Sequence, residues 1–182
     1  MKKIDLHIHT KASSVKESAY SFSLPKLKEY VDNLSLDCIA VTNHNLFDLQ
    51  QFNQISAQLG ITVLPGIEID LENGHLLLIS ENTELEDFES KCNQVCNLIR
   101  SSTDFLTFEQ FKNIFTDLSK YLLIPHYDKK PTIRTEIIEQ LKPHITSGEV
   151  TSAKKFKYCI NDASSLSPVL FSDLRFTEQM TE

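Results

Sequence analysis

The residues best suited to chemistry stand at the start of the chain, in the segment Lys3-Ile4-Asp5-Leu6-His7-Ile8-His9-Thr10. The segment is typical of a β-strand, in which alternate side chains face opposite sides, so that Asp5, His7 and His9 share one face. Two histidines at this spacing lie roughly 7 Å apart at Cα, and both imidazoles can tilt onto one metal ion. The carboxylate of Asp5 is then expected beside them, where it can accept the spare N–H of a ligating imidazole.

Further histidines and acids recur at strand positions along the chain. Five of the six histidines lie within or at the end of a predicted strand, and the exception, His144, is assigned to a loop. A single histidine of this kind is more often a hydrogen-bonded core residue, but the joint placement favours a metal centre. The candidate residues are His7, His9, His44, Glu68, His75, His126 and Asp173.

The candidate ligands are imidazole nitrogens and carboxylate oxygens, and thiolates are not among them. Such a set suits Zn, Mn or Fe, and seven candidates are more than one structural zinc ion can use. Two ions held ~3.5–4 Å apart can activate a bridging hydroxide for in-line attack and stabilise charge on phosphate oxygens. The ligand types therefore predict hydrolysis of a phosphoester.

The elements that must position these residues alternate between strands and helices. Most strands end in a polar residue, which is the arrangement of a (β/α) barrel or an open α/β sheet with its site at the carboxyl ends of the strands. Helices are predicted over 23–36, 46–59, 85–100, 107–120 and 132–141. Strands are predicted over 3–10, 38–42, 61–70, 75–79, 121–126, 168–171 and, weakly, around 149–150.

Composition limits the class of protein. The chain has 182 residues, of which 41% are hydrophobic and 24% charged, as expected for one globular domain. Its net charge of −7 excludes a global basic field for nucleic acid or anionic lipid, so local cations or bound metal ions would have to attract such partners. The four cysteines show no disulfide framework, and no apolar signal segment or membrane span is found, so a cytoplasmic protein without a membrane partner is expected.

Six motifs, in order along the chain, resemble those of the PHP family, the polymerase and histidinol phosphatase superfamily. They are Asp5-Leu6-His7-Ile8-His9-Thr10, Thr42-Asn43-His44, Gly66-Ile67-Glu68, His75, Pro125-His126 and Ser172-Asp173-Leu174-Arg175. The family usually has Asp where this chain has Asn43, and His where it has Arg175. The resemblance implies an α/β fold, a distorted (β/α)7 TIM-like barrel with the metal site at the C-terminal ends of the strands. It also implies one domain over 1–182, either alone or as the N-terminal module of a longer ATPase-fused chain.

The resemblance also implies a ligand set. One metal site consists of His7, His9, Glu68 and Asp173, and Glu68 bridges to a second site made with His75 and His126. A third site of many relatives keeps only His44 here, so two divalent ions (Zn, Mn or Fe) are expected and a third is not. Asp5 and Asn43 are expected to support the ligands.

Other roles follow for residues around the metals. His44, without a metal to bind, is assigned as a general acid for the leaving group. Arg175 is assigned to hold a phosphate oxygen by charge-assisted hydrogen bonds, or else pairs with an acid and marks the lost site. Four loop cations are candidates for substrate phosphates, although solvated surface charge is the interpretation we favour for each. They are Lys11, Lys129, Lys130 and Arg134.

The expected function is a metal-dependent hydrolase, either a phosphatase or a phosphodiesterase or nuclease. Its substrate would be a phosphorylated small molecule, a nucleotide or a nucleic-acid end, with Asp173, His44 and Arg175 in the catalytic group and Lys11 binding substrate. The alternative is a non-catalytic metal-binding module that regulates a larger ATPase or nucleic-acid-processing assembly. Hydrolysis of an amide by the same centre has no support beyond the metals.

Overall fold

A computed structural model describes residues 2–13, 15–72, 74–162 and 165–178. The strands are β1 Ile4–His9, β2 Cys38–Val41, β3 Thr62–Leu71, β4 Gly74–Ile79, β5 Leu122–Asp128, β6 Ser147–Val150, β7 Ser167–Val169 and β8 Leu174–Arg175. The helices are α1 Leu24–Leu34, α2 Leu49–Gln58, α3 Leu85–Leu98, α4 Phe108–Ile114, α5 Thr135–Leu141 and α6 Ala153–Ile160. Short 3-10 turns lie at Leu118–Lys120 and Lys142–His144.

All eight described strands belong to one mixed sheet, in the order β7-β6-β5-β4-β3-β2-β1-β8. Neighbouring strands are parallel except that β4 runs antiparallel to both β3 and β5. This is an α/β fold, but the regular count of seven β/α units is not confirmed, because β3 and β4 form a hairpin without a helix between them. The carboxyl ends of the parallel strands and the amino end of β4 therefore lie at the same edge of the sheet.

The sheet is strongly curled. In a flat sheet β1 and β6, five steps apart in the strand order, would be separated by roughly 24 Å at ~4.8 Å per step. Instead, Nδ1 of His7 on β1 lies 2.9 Å from Oε2 of Glu149 on β6. The sheet thus rolls up until side chains on its concave side meet across the interior.

The curled sheet separates two apolar clusters. The larger one lies between the sheet and the helices and includes Leu27 and Val31 of α1 and Phe88 of α3. The smaller one contains strand residues from around the interior, namely Leu6, Ala40, Leu77, Ile79 and Ile124, with Cys38, Leu64, Val169 and Phe171 packed against them. The interior is therefore closed by apolar side chains at one level, and polar side chains occupy the next level towards the carboxyl ends of the strands.

Strand β1 does not alternate as its sequence predicts. Its register against β2 shifts between Asp5 and Ile8, as at a β-bulge. Leu6 belongs to the interior cluster, whereas Ile8 belongs to the layer under the helices. Because of the irregularity, consecutive Leu6 and His7 both reach the interior, and Asp5 is directed to the helix side, where it meets Tyr30 of α1.

Strand β3 is one continuous strand through Pro65-Gly66, close to the predicted range 61–70. It pairs with β2 as far as Pro65 and with β4 from Gly66 onwards, so the proline lies where the strand changes its partner. A Cβ on Gly66 would lie 2.7 Å from Cγ2 of Thr42, which explains why the tight approach beside Glu68 requires glycine.

The helices begin and end close to the predicted positions, with two differences. The predicted helix 107–120 ends at Ile114 and continues as a 3-10 turn, and α6 was not predicted. The sequence of α6, Ala-Lys-Lys-Phe-Lys-Tyr-Cys-Ile, is amphipathic, but it is only eight residues long and buries a single residue, Cys159, so the pattern that would predict a helix is short. Among the described residues, no helix combines the length and apolar character that crossing a bilayer requires.

Replacing Thr107 with alanine is expected to lower the free energy of unfolding by about 1 kcal/mol, because Thr107 forms a reciprocal capping box with Gln110 at the start of α4. Urea denaturation measures the change. Ser23 is the matched control, because it occupies the same position before α1 but its side chain makes no capping hydrogen bond. An equal loss in Ser23→Ala would contradict a capping contribution at Thr107.

Candidate metal centre

The candidate ligands meet at one edge of the curled sheet. His7 and His9 come from β1, Glu68 from β3 and His126 from β5, each towards the carboxyl end of its strand. His75 opens β4, and it reaches the same edge because β4 runs in the opposite direction. The direction of each strand therefore decides whether its histidine or acid reaches this edge, in addition to the position of that residue in the sequence.

Glu68 is the centre of the cluster, with a side chain that is only 2% exposed. One carboxylate oxygen, Oε2, lies 3.3, 3.4 and 3.0 Å from the Nε2 atoms of His7, His9 and His44. The other, Oε1, lies 2.8 Å from Nδ1 of His75 and 3.2 Å from Nε2 of His126. The two oxygens thus face two different groups of imidazoles, as a carboxylate that bridges two cations would.

The donor atoms of His7, His9, Glu68 and Asp173 have separations close to those of a tetrahedral metal site. Nε2 of His7 lies 3.1 Å from Nε2 of His9 and 3.5 Å from Oδ1 of Asp173, and Nε2 of His9 lies 3.0 Å from the same oxygen. A tetrahedron with metal–ligand bonds of ~2.0–2.1 Å has edges of roughly 3.3–3.4 Å. Five of the six separations among these four donor atoms, which include Oε2 of Glu68, are therefore close to those of a tetrahedral site.

A second candidate site consists of Glu68, His75 and His126, whose donor atoms all lie within 4.8 Å of one another. Glu149 extends it, because its Oε2 lies 3.2 Å from Nε2 of His126. Within the described residues, both ring nitrogens of His126 and Oε2 of Glu68 are buried without a well-formed hydrogen bond. Buried polar atoms without such partners carry a free-energy cost, which a bound cation would remove.

The charges of the cluster are balanced by its own imidazoles. Burial lowers the pKa of His7, but hydrogen bonds to Glu149 and Glu68 outweigh this effect and raise the pKa to about 9. Burial likewise opposes charge on Glu68, yet the close imidazoles of His126, His7 and His75 hold its pKa well below the usual range. Protonated imidazoles therefore occupy the positions that cations would take beside these carboxylates.

Asp173 precedes β8, and its backbone φ of 52° lies in the left-handed region. Burial raises its pKa, but the hydrogen bond from His9 and the charges of His7 and Lys129 outweigh this and hold the pKa well below the usual range. The carboxylate is therefore ionised at neutral pH, as a metal ligand must be.

The surroundings of His44 contain an ion pair. Nε and Nη2 of Arg175 each lie 2.6 Å from Oε1 of Glu17, and Nη1 lies 3.4 Å from Oδ1 of Asp173. The guanidinium thus pairs with acids, as the second interpretation of Arg175 supposed. Burial lowers the pKa of His44 to about 4, so its imidazole is neutral at pH 7. The general-acid role of His44 stays a prediction.

Asp5 does not make the contact expected from the sequence. Its carboxylate accepts hydrogen bonds from Oη of Tyr30 at 2.7 Å and from the backbone N–H of Ser172 at 3.3 Å, and no imidazole is among its described partners. The irregularity in β1 explains the difference. Asp5 instead ties β1 to α1 and to the segment before Asp173.

Asn43 supports the backbone that follows His9. Its Oδ1 accepts hydrogen bonds from the backbone N–H groups of Thr10 at 2.6 Å and Lys11 at 2.9 Å. An amide oxygen serves this purpose as well as a carboxylate oxygen does, so the change from the family's Asp retains the acceptor.

The loop cations have different surroundings. The ammonium of Lys11 pairs with Asp48, the N-cap of α2, and is half exposed. Arg134 lies at the surface, 4.0 Å from Glu72, and Lys130 is exposed. Lys129 is different, because its side chain is only 12% exposed and contacts Glu149 and Asp173. The expectation of a solvated surface charge is therefore wrong for Lys129.

Glu149 is a member of the cluster that sequence reasoning missed. Its side chain is 1% exposed, and it lies within 3.2 Å of both His7 and His126. Strand β6 has the sequence Ser-Gly-Glu-Val, which has little β-propensity, so only a weak strand was predicted there. The usable signal was a carboxylate beside the carboxyl end of a strand, as at Glu68.

A cavity of about 570 Å³ opens beside the cluster and is bordered by His44, Asp70 and His75. Its outer wall includes Phe105, from the segment between α3 and α4, and Pro131, from the loop after β5. The cavity can receive the part of a substrate that extends away from the metal centre.

Lys16 is the one lysine or arginine among the described residues that line this cavity. Its Nζ lies 3.1 Å from Oδ2 of Asp70 and 2.8 Å from the backbone oxygens of both Ser102 and Asp104. An ammonium group has three donors, and these three acceptors use all of them. Lys16 therefore builds the wall and leaves no donor for a substrate anion.

A family model described as PHP domain matches residues 5–162. Among curated proteins, no match to this chain is found. The solved structure of PsfC from Pseudomonas syringae PB-5123 superposes with a TM-score of 0.60 at 16% identity, covering 94% of this chain and 75% of PsfC. A protein from Bifidobacterium adolescentis ATCC 15703, provisionally named a metal-dependent phosphoesterase, gives a TM-score of 0.55 at 12% identity and covers 98% and 93% of the two chains. At these identities the two structures show a shared fold alone.

Proposed function

Since the chain belongs to the PHP domain family, we propose that it is a metal-dependent phosphoesterase that acts on a small phosphate ester. The observation that carries the proposal is the position of Glu68, whose two oxygens face two separate groups of imidazoles. The name of the structurally similar Bifidobacterium protein is in accord with this activity. The metal identity is proposed as Zn, Mn or Fe, from imidazole and carboxylate donors.

Two ions are proposed. His7, His9, Glu68 and Asp173 would hold the first. Glu68, His75 and His126 would hold the second, with Glu149 beside them. When bound, such ions polarise a phosphate ester and lower the pKa of water to the neutral range.

The protein's own residues prepare the site for a phosphate group. Asp173 and Glu68 remain ionised and hold their imidazole partners in place, and Arg175 adds a fixed cation next to Asp173. Arg175 is 36% exposed, so its guanidinium can contact a phosphate oxygen from the open side while Glu17 holds it. Lys11, paired with Asp48 and half exposed, remains a weaker candidate for contact with substrate.

The cavity favours a small ester over a polyanion. Its one lining lysine among the described residues, Lys16, has no free donor, because it pairs with Asp70 and with two backbone oxygens of the same wall. A nucleic-acid strand or a second phosphate would therefore find no free lysine or arginine donor on the described part of this wall. An uncharged leaving group that packs against Phe105 and Pro131 fits this wall better.

The proposal predicts metal-dependent release of nitrophenol from nitrophenyl phosphate, with the monoester preferred over the bis-ester. The purified protein is assayed after dialysis against EDTA and again after addition of Mn²⁺ or Zn²⁺, and metal content is measured in parallel. Release should fall to background without metal and return when metal is added. A protein that holds two ions and releases no nitrophenol would contradict the proposal and favour the non-catalytic regulatory module.

A further inference from the structure

Lys129 follows β5 directly, yet its ammonium lies inside the metal centre. Nζ is 2.8 Å from Oε1 of Glu149 and 3.1 Å from Oδ2 of Asp173. A lysine side chain that is only 12% exposed loses most of its hydration, so it is stable there only because it is paired. Lys129 thus joins two carboxylates, one from β6 and one from the segment before β8, that approach His7 from different directions.

The two oxygens of each carboxylate have different partners, because one contacts Lys129 and the other contacts an imidazole. Oδ2 of Asp173 contacts Lys129, and Oδ1 lies 3.0 Å from Nε2 of His9. Oε1 of Glu149 contacts Lys129, and Oε2 is the oxygen nearer to Nδ1 of His7, at 2.9 Å. By holding the outer oxygens, Lys129 fixes which oxygen of each acid faces the imidazoles.

The contact with Glu149 also fixes the tautomer of His7. Nδ1 of His7 lies near both Glu149 and the ammonium of Lys129, the latter at 3.1 Å. Both oxygens of Glu149 lie within 3.1 Å of Nδ1 and can only accept, whereas the ammonium of Lys129 can only donate, so the two carboxylate contacts favour a hydrogen on Nδ1. The nitrogen left for a metal is therefore Nε2, the atom that faces His9, Glu68 and Asp173.

We propose that Lys129 and Glu149 are positioning residues that set the metal affinity of the site containing His7 and Asp173. This inference rests on the proposed metal-dependent function. Glu149 orients the imidazole of His7, and Lys129 holds both Glu149 and Asp173 in the orientation that presents one oxygen inward. Partners of this kind typically contribute 10- to 100-fold to metal affinity.

The test compares metal binding in Lys129→Met and Glu149→Ala with the wild-type protein. Zn²⁺ affinity and stoichiometry are measured by competition with a chromophoric chelator, and Co²⁺ replaces Zn²⁺ so that its visible spectrum reports ligand geometry. Affinity for one of the two ions should fall roughly 10- to 100-fold, and the Co²⁺ spectrum should change. Lys130→Met, at the exposed neighbouring lysine, is the matched control and should behave as wild type.

Conservative variants separate positioning from a general loss of structure. Glu149→Gln keeps an oxygen that can accept the hydrogen bond of His7, so it should retain more affinity than Glu149→Ala. Lys129→Arg keeps the charge and can still join the two carboxylates, so it provides the corresponding comparison if Lys129→Met does not fold. Affinity unchanged in Lys129→Met and Glu149→Ala, or equal losses in alanine and glutamine at position 149, would overturn the proposal.

The outcomes also separate this inference from the proposed function. A wild-type protein that binds no metal overturns both. A wild-type protein that binds two ions but hydrolyses no ester overturns the function alone, and the variants then decide the positioning role. A hydrolytic wild-type protein whose variants bind metal normally overturns the positioning role alone.

Discussion

Replacing Glu68 with glutamine is expected to reduce bound metal from two ions to one or none and to lower the rate of phosphate ester hydrolysis by at least about 10³-fold. The effect is large because Glu68 faces both groups of imidazoles, so one substitution removes a charge from both proposed sites. Charge stabilisation by such metals amounts to several kcal/mol, and about 1.4 kcal/mol corresponds to a factor of ten. Metal content after gel filtration and nitrophenyl phosphate turnover measure the two effects.

Glutamine keeps the shape of the buried side chain, so the variant separates loss of charge from loss of packing. Glu81→Gln is the matched control, because Glu81 is exposed at the end of β4 and away from the histidines. A Glu68→Gln protein that retains two ions would show that Glu68 does not bridge them. Its circular dichroism spectrum should resemble that of the wild-type protein.

Replacing Asp173 with asparagine is expected to lower turnover by about 10²–10³-fold, the scale seen when one pre-organised electrostatic group is removed from an active site. Oδ1 of Asp173 lies 3.0 Å from Nε2 of His9. Its carboxylate is the second negative charge of the first proposed site, beside that of Glu68. Only the ion of that site should be weakened, so the protein should retain about one ion when metal is limiting.

Asparagine is chosen because the backbone of Asp173 has a φ of 52°. Asparagine tolerates the left-handed region, whereas alanine would add backbone strain and confuse a loss of metal with a loss of stability. Asp87→Asn, at an exposed position on α3, is the control. Full activity in Asp173→Asn would remove Asp173 from the catalytic group.

Much of the cluster of histidines and acids could be predicted because the relevant strands are apolar runs that end in polar residues. The sequence of β5, Leu-Leu-Ile-Pro-His-Tyr-Asp, shows where the strand ends and so where His126 lies. His75 fits only after the reversed direction of β4 is known, because it stands at the start of its strand. Strand direction depends on pairing between distant segments, which local patterns do not determine.

Other contacts of the site could not be predicted, because they do not follow from the alternation of apolar and polar residues along the chain. An irregularity of one residue in β1 exchanges the sides of Asp5 and Leu6, so the support expected from Asp5 for an imidazole comes to His7 from Glu149 instead. Lys129 was interpreted as surface charge because a lysine in a basic turn normally is one. Its burial results from two acids supplied by β6 and by the segment before β8.

The pairing of β1 with β8 has a consequence for folding kinetics. His9 and Asp173 are separated by 164 positions, yet they meet at adjacent strands, so an ion between them would close a loop spanning most of the chain. Contacts of such sequence separation form slowly, and a clip across a long loop limits the denatured ensemble much as a disulfide does. Bound metal would therefore act chiefly on the lifetime of the native state, because it would hold the edge strand β8 and the segment before it against β1.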